Sequence, residues 1–368
     1  MKILQAGSSL FNSGGIERYI IHLADGLTAR GHEVHITAPP GSWLSTTAEN
    51  RGYPVWSIKV YNQHDLHTLG AYRRLIRREK YDIINTHFSR DYLVPGLASW
   101  LEHRRGMVIH RHMPHCWPHI RRWMYSKALY DKVVGVSHAV YDALLQGGIP
   151  ADRLEMVYGG VEKVTPGPAP DIREELGIPG DSVLIGIVSR VIAQKGHREL
   201  VQAMKFVDKQ AVCLVVGDGN DLAHVKRLTV EEGLQDRVHF LGWRNDSDAI
   251  TAALDVVVQP SLWEEACSQA ILEAMSMAKP LVVTQSGGNA ELVQHGKNGF
   301  VVAKHDLHAM ASALNTLTAD QALRREMGAE GLKLQQEQFT VETMAQGMER
   351  VYRSIIAAQS AVSQRMAS

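Results

Sequence analysis

The sequence predicts an α/β protein built from two doubly wound parallel sheets. Its 368 residues exceed what one ordinary hydrophobic core accommodates, so we expect two domains. In both halves, short apolar segments of strand character alternate with amphipathic helical segments, a pattern typical of parallel sheets with helices on both faces. A Gly- and Pro-rich stretch at residues 158–182 interrupts the alternation and predicts a linker.

The first half begins with an apolar strand, ILQAG, which is followed by the loop SSLFNSGG, an amphipathic helix and the strand EVHITA. This order predicts a strand, a crossover helix and a parallel strand. Further strands are predicted at residues 55–60, 82–86, 107–111 and 133–136, and helices at 66–80 and 92–102.

The second half repeats the same alternation. Strands are predicted at residues 183–188, 211–216, 237–241, 255–259, 280–284 and 299–302. Two long helical patterns, at about 306–335 and 340–360, complete the chain.

Composition excludes several function classes. The 39 basic residues balance the 39 acidic ones, so no overall basic field indicates nucleic acid as a partner. The three cysteines are widely spaced, which fits neither a disulfide framework nor paired zinc knuckles. Residues 1–7 lack the long apolar stretch of a signal peptide, and no later segment resembles a membrane span. A cytoplasmic location is therefore expected.

The loops that follow the strands carry the candidate ligand-binding residues, as expected for open α/β sheets. Arg190 and Lys195 follow the strand VLIGIV, and a guanidinium with an ammonium can neutralise a diphosphate. Gly14-Gly15 and Gly287-Gly288 each follow a strand, so their backbone amides can approach an anion. For Gly14-Gly15 alone, a tight turn is the favoured interpretation.

Two glutamates in SLWEEACSQAILEAM are the second feature. Glu265 follows a Pro-Ser turn, whereas Glu273 lies inside an apolar helical pattern that begins near Ser268. A carboxylate accepts two hydroxyl donors at once, so either glutamate could bind a pair of hydroxyl groups. The small residues Ala266 and Cys267 let the backbone approach a ligand, and the first amides of the helix would face a diphosphate.

Five segments in register resemble one family. They are GGIERY, SRVIAQKG, HFLGW, QPSLWEEACSQAILEAM and TQSGGNAELVQHGKNGFVV. Their order and spacing are similar to those of the retaining glycosyltransferases of family 4, and the paired-glutamate segment is the most specific. This sequence departs from the family pattern at residues 266–268, where Gly-aromatic-Gly is commoner. The identity of the donor sugar is therefore left open.

The resemblance implies a GT-B fold, with two Rossmann-like domains facing a central cleft. It implies an acceptor-binding domain over residues 1–163 and a nucleotide-sugar-binding domain over 164–346, with helix 347–368 crossing back onto the first. The reaction implied is metal-independent transfer with retention, and no cofactor is expected beside the nucleotide-diphosphate sugar. In the front-face mechanism of the family the leaving phosphate takes the acceptor proton, so Arg190 and Lys195 would stabilise that phosphate.

Roles for further residues also follow from the resemblance. Glu265 would face the donor sugar, Glu273 would bind the ribose, and residues 239–244 would form the base-binding loop, with Trp243 and Arg244 as candidates. His112, or as second choice His110, aligns with a family histidine beneath the donor sugar, and His87 and His110 are candidates for acceptor binding. The four histidines in HRHMPHCWPH could also suggest a metal, but no Asp or Glu lies nearby, so no metal site is expected.

The acceptor and the competing functions remain open at this point. Aromatic and basic residues between Trp100 and Trp123 suit a membrane interface carrying a lipid-linked acceptor, as in lipopolysaccharide or capsule synthesis. An ordinary solvated basic face with buried tryptophans is the favoured interpretation. A nucleotide-sugar epimerase and a non-catalytic carbohydrate-binding protein of the same fold are the alternatives. An NAD-linked dehydrogenase is disfavoured because the GxGxxG fingerprint is missing. Uridine and guanosine donors are not distinguished.

Overall fold

The computed structural model describes residues 1–8, 14–62, 65–103, 106–114, 129–165 and 172–367. The chain divides into two compact units. The first contains Met1–Gly160 and Thr340–Ser368, and the second contains Val161–Phe339. The chain therefore leaves the first unit close to the expected boundary at residue 163 and returns to it at residue 340, earlier than the expected 347.

The first unit is built on a parallel sheet. In the described residues its strands are β1 Lys2–Ala6, β2 Glu33–Ala38, β3 Val55–Ser57, β4 Ile83–Thr86, β5 Met107–Arg111, β6 Lys132–Gly135 and β7 Leu154–Met156. Their order is β3-β2-β1-β4-β5-β6-β7, and every recorded pairing is parallel. The side chains of β1, β4 and β5 are almost all buried, because helices cover both faces of such a sheet.

The helices of the first unit alternate with these strands. They are α1 Gly15–Ala29, α2 Trp43–Asn50, α3 Leu69–Glu79, α4 Leu93–Leu101, α5 His138–Gln146 and the last helix of the chain, labelled α14 below, Val341–Ala367. The last helix packs in the first unit, where Arg30 Nε at the end of α1 donates to Glu349 Oε2 at 2.6 Å.

The second unit is built on a second parallel sheet. Its described strands are β8 Val183–Val188, β9 Ala211–Val216, β10 Val238–Gly242, β11 Val256–Gln259, β12 Leu281–Thr284 and β13 Gly299–Val302. Their order is β10-β9-β8-β11-β12-β13, again with parallel pairing throughout. Branched aliphatic side chains of β8, β9 and β11, such as Ile185, Val215 and Val258, form the centre of its hydrophobic core.

The second unit alternates helices with strands in the same way. Its helices are α6 Ile172–Leu176, α7 His197–Ala203, α8 Leu222–Glu231, α9 Ser247–Ala253, α10 Gln269–Ser276, α11 Asn289–Leu292, α12 Leu307–Ala319 and α13 Gln321–Gln338. The helix that follows α13 is α14, and it already belongs to the first unit.

In each sheet, the side on which the chain adds new strands changes at one place. From β1 the chain adds strands on one side, and from β4 it adds strands on the other, so β1 and β4 flank what we term the first switch point. In the second sheet β8 and β11 flank the second switch point. Loops diverge at the carboxyl ends of such strand pairs, which leaves a crevice where ligands bind in open α/β sheets.

The predicted α/β class and both parallel sheets are confirmed, while some element boundaries were wrong. The strand expected at residues 55–60 ends at Ser57. The single helix expected over 306–335 is two helices, because the Asp320 side chain accepts a hydrogen bond from Leu323 N and starts a new helix. Helix α2 and strand β7 were not predicted. The expected cleft between the sheets stays a prediction.

Candidate active site

The second switch point brings together two loops that lie far apart in the sequence. Strands β8 and β11 pair in parallel through Ile185 and Val256, so both end at the same edge of the sheet. The loop after β8 carries Arg190 and Lys195, and the loop after β11 carries Glu265. Strand pairing thus places the predicted cations and the first predicted carboxylate at one edge.

Lys195 and Glu265 form the centre of this site. Lys195 Nζ lies 2.6 Å from Glu265 Oε1, and both side chains are largely buried. Ser261 Oγ donates to the same oxygen at 2.7 Å. Within the described ranges, Glu265 Oε2 has no recorded hydrogen-bond partner, so one carboxylate oxygen is fixed while the other can accept a ligand hydroxyl.

Two glycines allow the loops to close on each other. Gly196 has a φ of +74°, and a Cβ there would lie 1.9 Å from the carbonyl oxygen of Pro260. Gly287 has a φ of +49°, and a Cβ there would lie 2.3 Å from the carbonyl oxygen of Glu265. Gly288 N donates to that same carbonyl at 2.8 Å. The second Gly-Gly pair therefore supports the backbone of Glu265. The expectation that the Gly288 amide approaches an anion was wrong, because its single N–H is donated to the Glu265 carbonyl.

Helix α10 places the second glutamate. The helix begins after Ser268, as predicted, and the Ser268 side chain does not cap its first amides. Glu273 lies more than one turn into the helix and is half-buried. Ala266 and Ser268 are buried and Cys267 is half-buried, so little side-chain bulk surrounds the start of the helix.

Arg190 and Arg244 differ in their surroundings. Arg190 is exposed, and none of the residues that the structure describes forms an ion pair with its guanidinium. Arg244 is instead held by the Asp246 carboxylate at 2.8 Å and by Glu175 at 2.9 Å. Trp243, 63% exposed, adjoins it after the edge strand β10. The expected base-binding loop at residues 239–244 was wrong in part, because residues up to Gly242 belong to β10.

The first switch point carries a polar cluster around the three predicted histidines. His87 follows β4, His110 lies in β5 and His112 follows β5. His87 Nδ1 lies 3.1 Å from His112 Nε2, and His87 Nε2 lies 2.7 Å from Gln5 Oε1 in β1. The imidazole of His110 stacks against those of His87 and His112, with ring centroids 5.3 and 5.0 Å apart.

Burial keeps these imidazoles neutral. It lowers the pKa of His112 to about 3, with the nearby Arg111 charge acting in the same direction. Burial also lowers the pKa of His87 and of His110 well below the ordinary value. His87 and His110 are almost fully buried, whereas His112 is half-buried. Of the three, His112 is therefore best placed to touch a ligand.

The first Gly-Gly pair lies at the start of α1. Gly14 is the N-cap, and a Cβ there would lie 2.7 Å from Glu17 Oε2. A carboxylate therefore lies beside the helix start that was expected to face an anion, although residues 9–13 of the preceding loop lie outside the described residues.

Several residues of both sites were missed in the sequence. Gln5 and Asn85 are fully buried, and Asn85 Nδ2 donates to Gln5 Oε1 at 3.0 Å and to Tyr352 Oη at 3.0 Å. Ser261 was read as part of a turn. A signal was present, since Gln5 and Asn85 are amides near the carboxyl ends of otherwise apolar strands.

Two other expectations fall partly outside the described residues. Of the aromatic and basic cluster, Trp100 is described and is 59% exposed, whereas residues 104–105 and 115–128 are not described. Among the described side chains, no group of three or more His, Cys, Asp or Glu residues is arranged to hold a metal ion. In the same part of the chain, no helix combines the length and apolar character needed to span a bilayer.

Comparison with known proteins assigns both units to glycosyltransferases. Residues 13–163 match the model of Glycosyltransferase Family 4, and residues 168–334 match that of Glycosyl transferases group 1. An Escherichia coli UDP-Gal:alpha-D-GlcNAc-diphosphoundecaprenol alpha-1,3-galactosyltransferase is 28% identical, over 70% of this chain and 72% of its own length. The lipopolysaccharide core biosynthesis glycosyltransferase LpsE of Rhizobium meliloti is 25% identical over 90% and 93%.

A solved structure extends the likeness to the whole fold. Anabaena HepE, determined with UDP and also with UDP-glucose, is 25% identical, and its structure superimposes with a TM-score of 0.85 over 96% of this chain and 100% of its own. Three findings agree: the two family models match in the expected order, the relatives are glycosyltransferases, and the chain has two parallel-sheet domains. The chain therefore belongs to glycosyltransferase family 4 and has the GT-B fold.

Proposed function

We propose that this glycosyltransferase transfers a sugar from a nucleotide-diphosphate sugar to a hydroxyl of a glycan or lipid-linked acceptor, with retention of the anomeric configuration. The observation that carries the proposal is the Lys195–Glu265 pair at the second switch point. It combines a cation suited to a diphosphate with a carboxylate oxygen available to a sugar hydroxyl.

Four residues have side chains suited to binding the donor. Arg190 and Lys195 would bind the diphosphate, Glu265 would accept hydrogen bonds from the sugar, and Glu273 would bind the ribose hydroxyls. The uncapped amides at the start of α10 would add donors to the phosphate oxygens. A uridine nucleotide is favoured over guanosine because Anabaena HepE was solved with UDP and UDP-glucose.

The front-face mechanism of the family is compatible with the same residues. The bond between the anomeric carbon and the phosphate oxygen breaks while the acceptor oxygen attacks from the same face. The leaving phosphate takes the acceptor proton, so a protein base is not required. Arg190 and Lys195 would stabilise the charge on that phosphate, and no metal is assigned a part. His112, partly exposed and neutral, would contact the sugar.

The acceptor is proposed from the relatives. The Escherichia coli relative is named for a diphosphoundecaprenol acceptor and the Rhizobium relative for lipopolysaccharide core synthesis. We therefore place this enzyme in the synthesis of a cell-envelope glycan, with a lipid-linked or glycan hydroxyl as acceptor.

A donor panel tests the proposal. We expect a UDP-sugar to raise the melting temperature, because a ligand at a hundred times its dissociation constant adds about 2.7 kcal/mol to the free energy of unfolding. Lys195→Ala should lose most of this shift. Lys205→Ala removes a lysine of the same unit that pairs with Glu232 at 2.6 Å, and it should keep the shift. A complete absence of shifts with UDP- and GDP-sugars would contradict the proposal.

The same donor separates the alternatives. Incubation without acceptor should leave the sugar unchanged, whereas an epimerase would convert it. With acceptor present, NMR of the product should show the anomeric configuration of the donor, and EDTA should not reduce the rate. A protein that binds UDP-sugars but transfers nothing to any acceptor would be a carbohydrate-binding homologue.

A further inference from the structure

We propose that Gln5 and His87 are positioning residues that fix His112 as the neutral tautomer protonated at Nε2, with the Nδ1 lone pair available to a hydrogen-bond donor of the ligand. The ligand contact rests on the proposed function, in which His112 touches the sugar. The tautomer itself follows from contacts within the first unit.

The first step is the orientation of the Gln5 amide. Gln5 Oε1 accepts a hydrogen bond from Asn85 Nδ2 at 3.0 Å. In this arrangement the Gln5 oxygen faces the histidines, while Gln5 Nε2 and Asn85 Oδ1 have no hydrogen-bond partner among the described residues. His87 Nε2 lies 2.7 Å from the same oxygen. An amide oxygen only accepts, so His87 Nε2 must carry the proton.

The second step is the charge on His87. His87 is buried, with 1% of its surface exposed, and burial lowers its pKa well below the ordinary value. A neutral imidazole with a proton on Nε2 has a lone pair on Nδ1. That Nδ1 lies 3.1 Å from His112 Nε2, so His112 Nε2 must be the donor in this hydrogen bond.

The third step fixes His112. Because its Nε2 carries the proton and burial keeps the ring neutral, its Nδ1 has a lone pair. No described residue forms a recorded hydrogen bond with this atom. The ring cannot turn freely, since it stacks on His110 with centroids 5.0 Å apart and meets the edge of Tyr19 at 4.8 Å.

The chemistry of the ligand follows. A neutral imidazole with an open Nδ1 accepts a hydrogen bond from an O–H or N–H group and does not attract an anion through charge. His112 would therefore select for a sugar hydroxyl or an acylamino N–H at this position, and it would not act as a general acid.

Nuclear magnetic resonance of the free, full-length protein with 15N-labelled histidine tests the tautomer without any assay of activity. His112, assigned with His112→Asn, should show the coupling pattern of an Nε2–H ring. An Nδ1–H ring in the wild type would overturn the proposal, because it would require the Gln5 amide to face His87 with its nitrogen.

Gln5→Glu tests the relay. A carboxylate beside His87 Nε2 favours the imidazolium, whose Nδ1–H would then donate to His112 Nε2 and shift the His112 proton to Nδ1. We expect His112 to change tautomer as the pH falls through the new pKa of His87, and transfer to fall about 10- to 100-fold over the same range. A pH-independent tautomer in this variant would overturn the relay.

Tyr352→Phe is the matched control. It removes the hydroxyl that accepts from Asn85 Nδ2 at 3.0 Å and that also interacts with Gln5, but it keeps the contacts of His87 with Gln5 Oε1 and with His112 Nε2. It should lower stability without changing the tautomer of His112 or the pH profile. If neither protein transfers sugar, the proposed function fails, and the resonances still decide the tautomer.

Discussion

The two switch points share one topology but differ in their electrostatics. The second holds an ion pair between Lys195 and Glu265, whose side chains keep 20% and 17% of their surface exposed. The first holds neutral amides and imidazoles, several of them with no exposed surface, near the buried cation Arg111. Partial access to solvent lets charges persist, whereas complete burial favours neutral groups. A sheet crevice can thus be built for an anion or for neutral hydroxyls.

The largest expected effect tests the second switch point, which we call the charged crevice because it holds the Lys195–Glu265 ion pair. Lys195→Ala should lower kcat/KM for sugar transfer by on the order of a hundredfold, because in the proposed reaction it removes charge stabilisation of the leaving phosphate. Lys205→Ala should leave transfer unchanged. Radiolabelled transfer assays on both variants decide the matter, and near-normal turnover in Lys195→Ala would contradict the role of the ion pair.

An intermediate effect tests how this crevice is held. Gly287→Ala should reduce stability by about 1–3 kcal/mol and also reduce transfer, because the new Cβ would collide with the Glu265 carbonyl at 2.3 Å. Gly296→Ala is the control, since Gly296 has a φ of +79° and nothing within 4 Å of a Cβ. It should lose stability alone. Chemical denaturation measures the stability of both variants, and transfer assays measure their activity. Equal losses of activity in the two variants would show that backbone strain alone, without a collision at Glu265, explains the loss.

The smallest effect, taken per pH unit, tests the first switch point, which we call the neutral crevice because neutral imidazoles and amides line it. The pKa of His112 is lowered from 6.5 to about 3, so between these values the unfolded chain binds a proton that the folded chain does not. Stability from this group is present above about pH 6.5 and is lost as the pH falls. The unfolding free energy of the wild type should fall with decreasing pH below about 6.5. In His112→Asn this fall should be less steep than in the wild type, by about 1.4 kcal/mol per pH unit.

Urea denaturation between pH 4 and 7 measures that slope. His308→Asn, a change at an exposed histidine of the second unit, should follow the wild-type curve. If His112→Asn also follows the wild-type curve, His112 takes up its proton in the folded state and the first switch point is not neutral.

Much of the charged crevice could be predicted from the sequence, and little of the neutral one. Lys195 and Glu265 follow apolar strands, and the rule that ligands bind at strand ends was enough to group them. Gln5 and Asn85 lie within strands, where only the register of β1, β4 and β5 shows that their side chains meet. Tyr352, which is remote in sequence, reaches the cluster only through tertiary packing that no local pattern encodes.

Helix boundaries show the same limit. The break between α12 and α13 depends on one capping aspartate, Asp320, within a continuous helical pattern. Apolar periodicity detects that a helix exists but is insensitive to a single cap.

The return of α14 to the first unit has a consequence for domain exchange between relatives. Its Glu349 binds Arg30, and its Tyr352 reaches Asn85, so residues 1–160 on their own lack side chains that complete their interior. A functional chimera should therefore inherit residues 340–361 from the same parent as residues 1–160. A single junction near residue 161 would combine the C-terminal helix of one parent protein with the first-unit interior of the other.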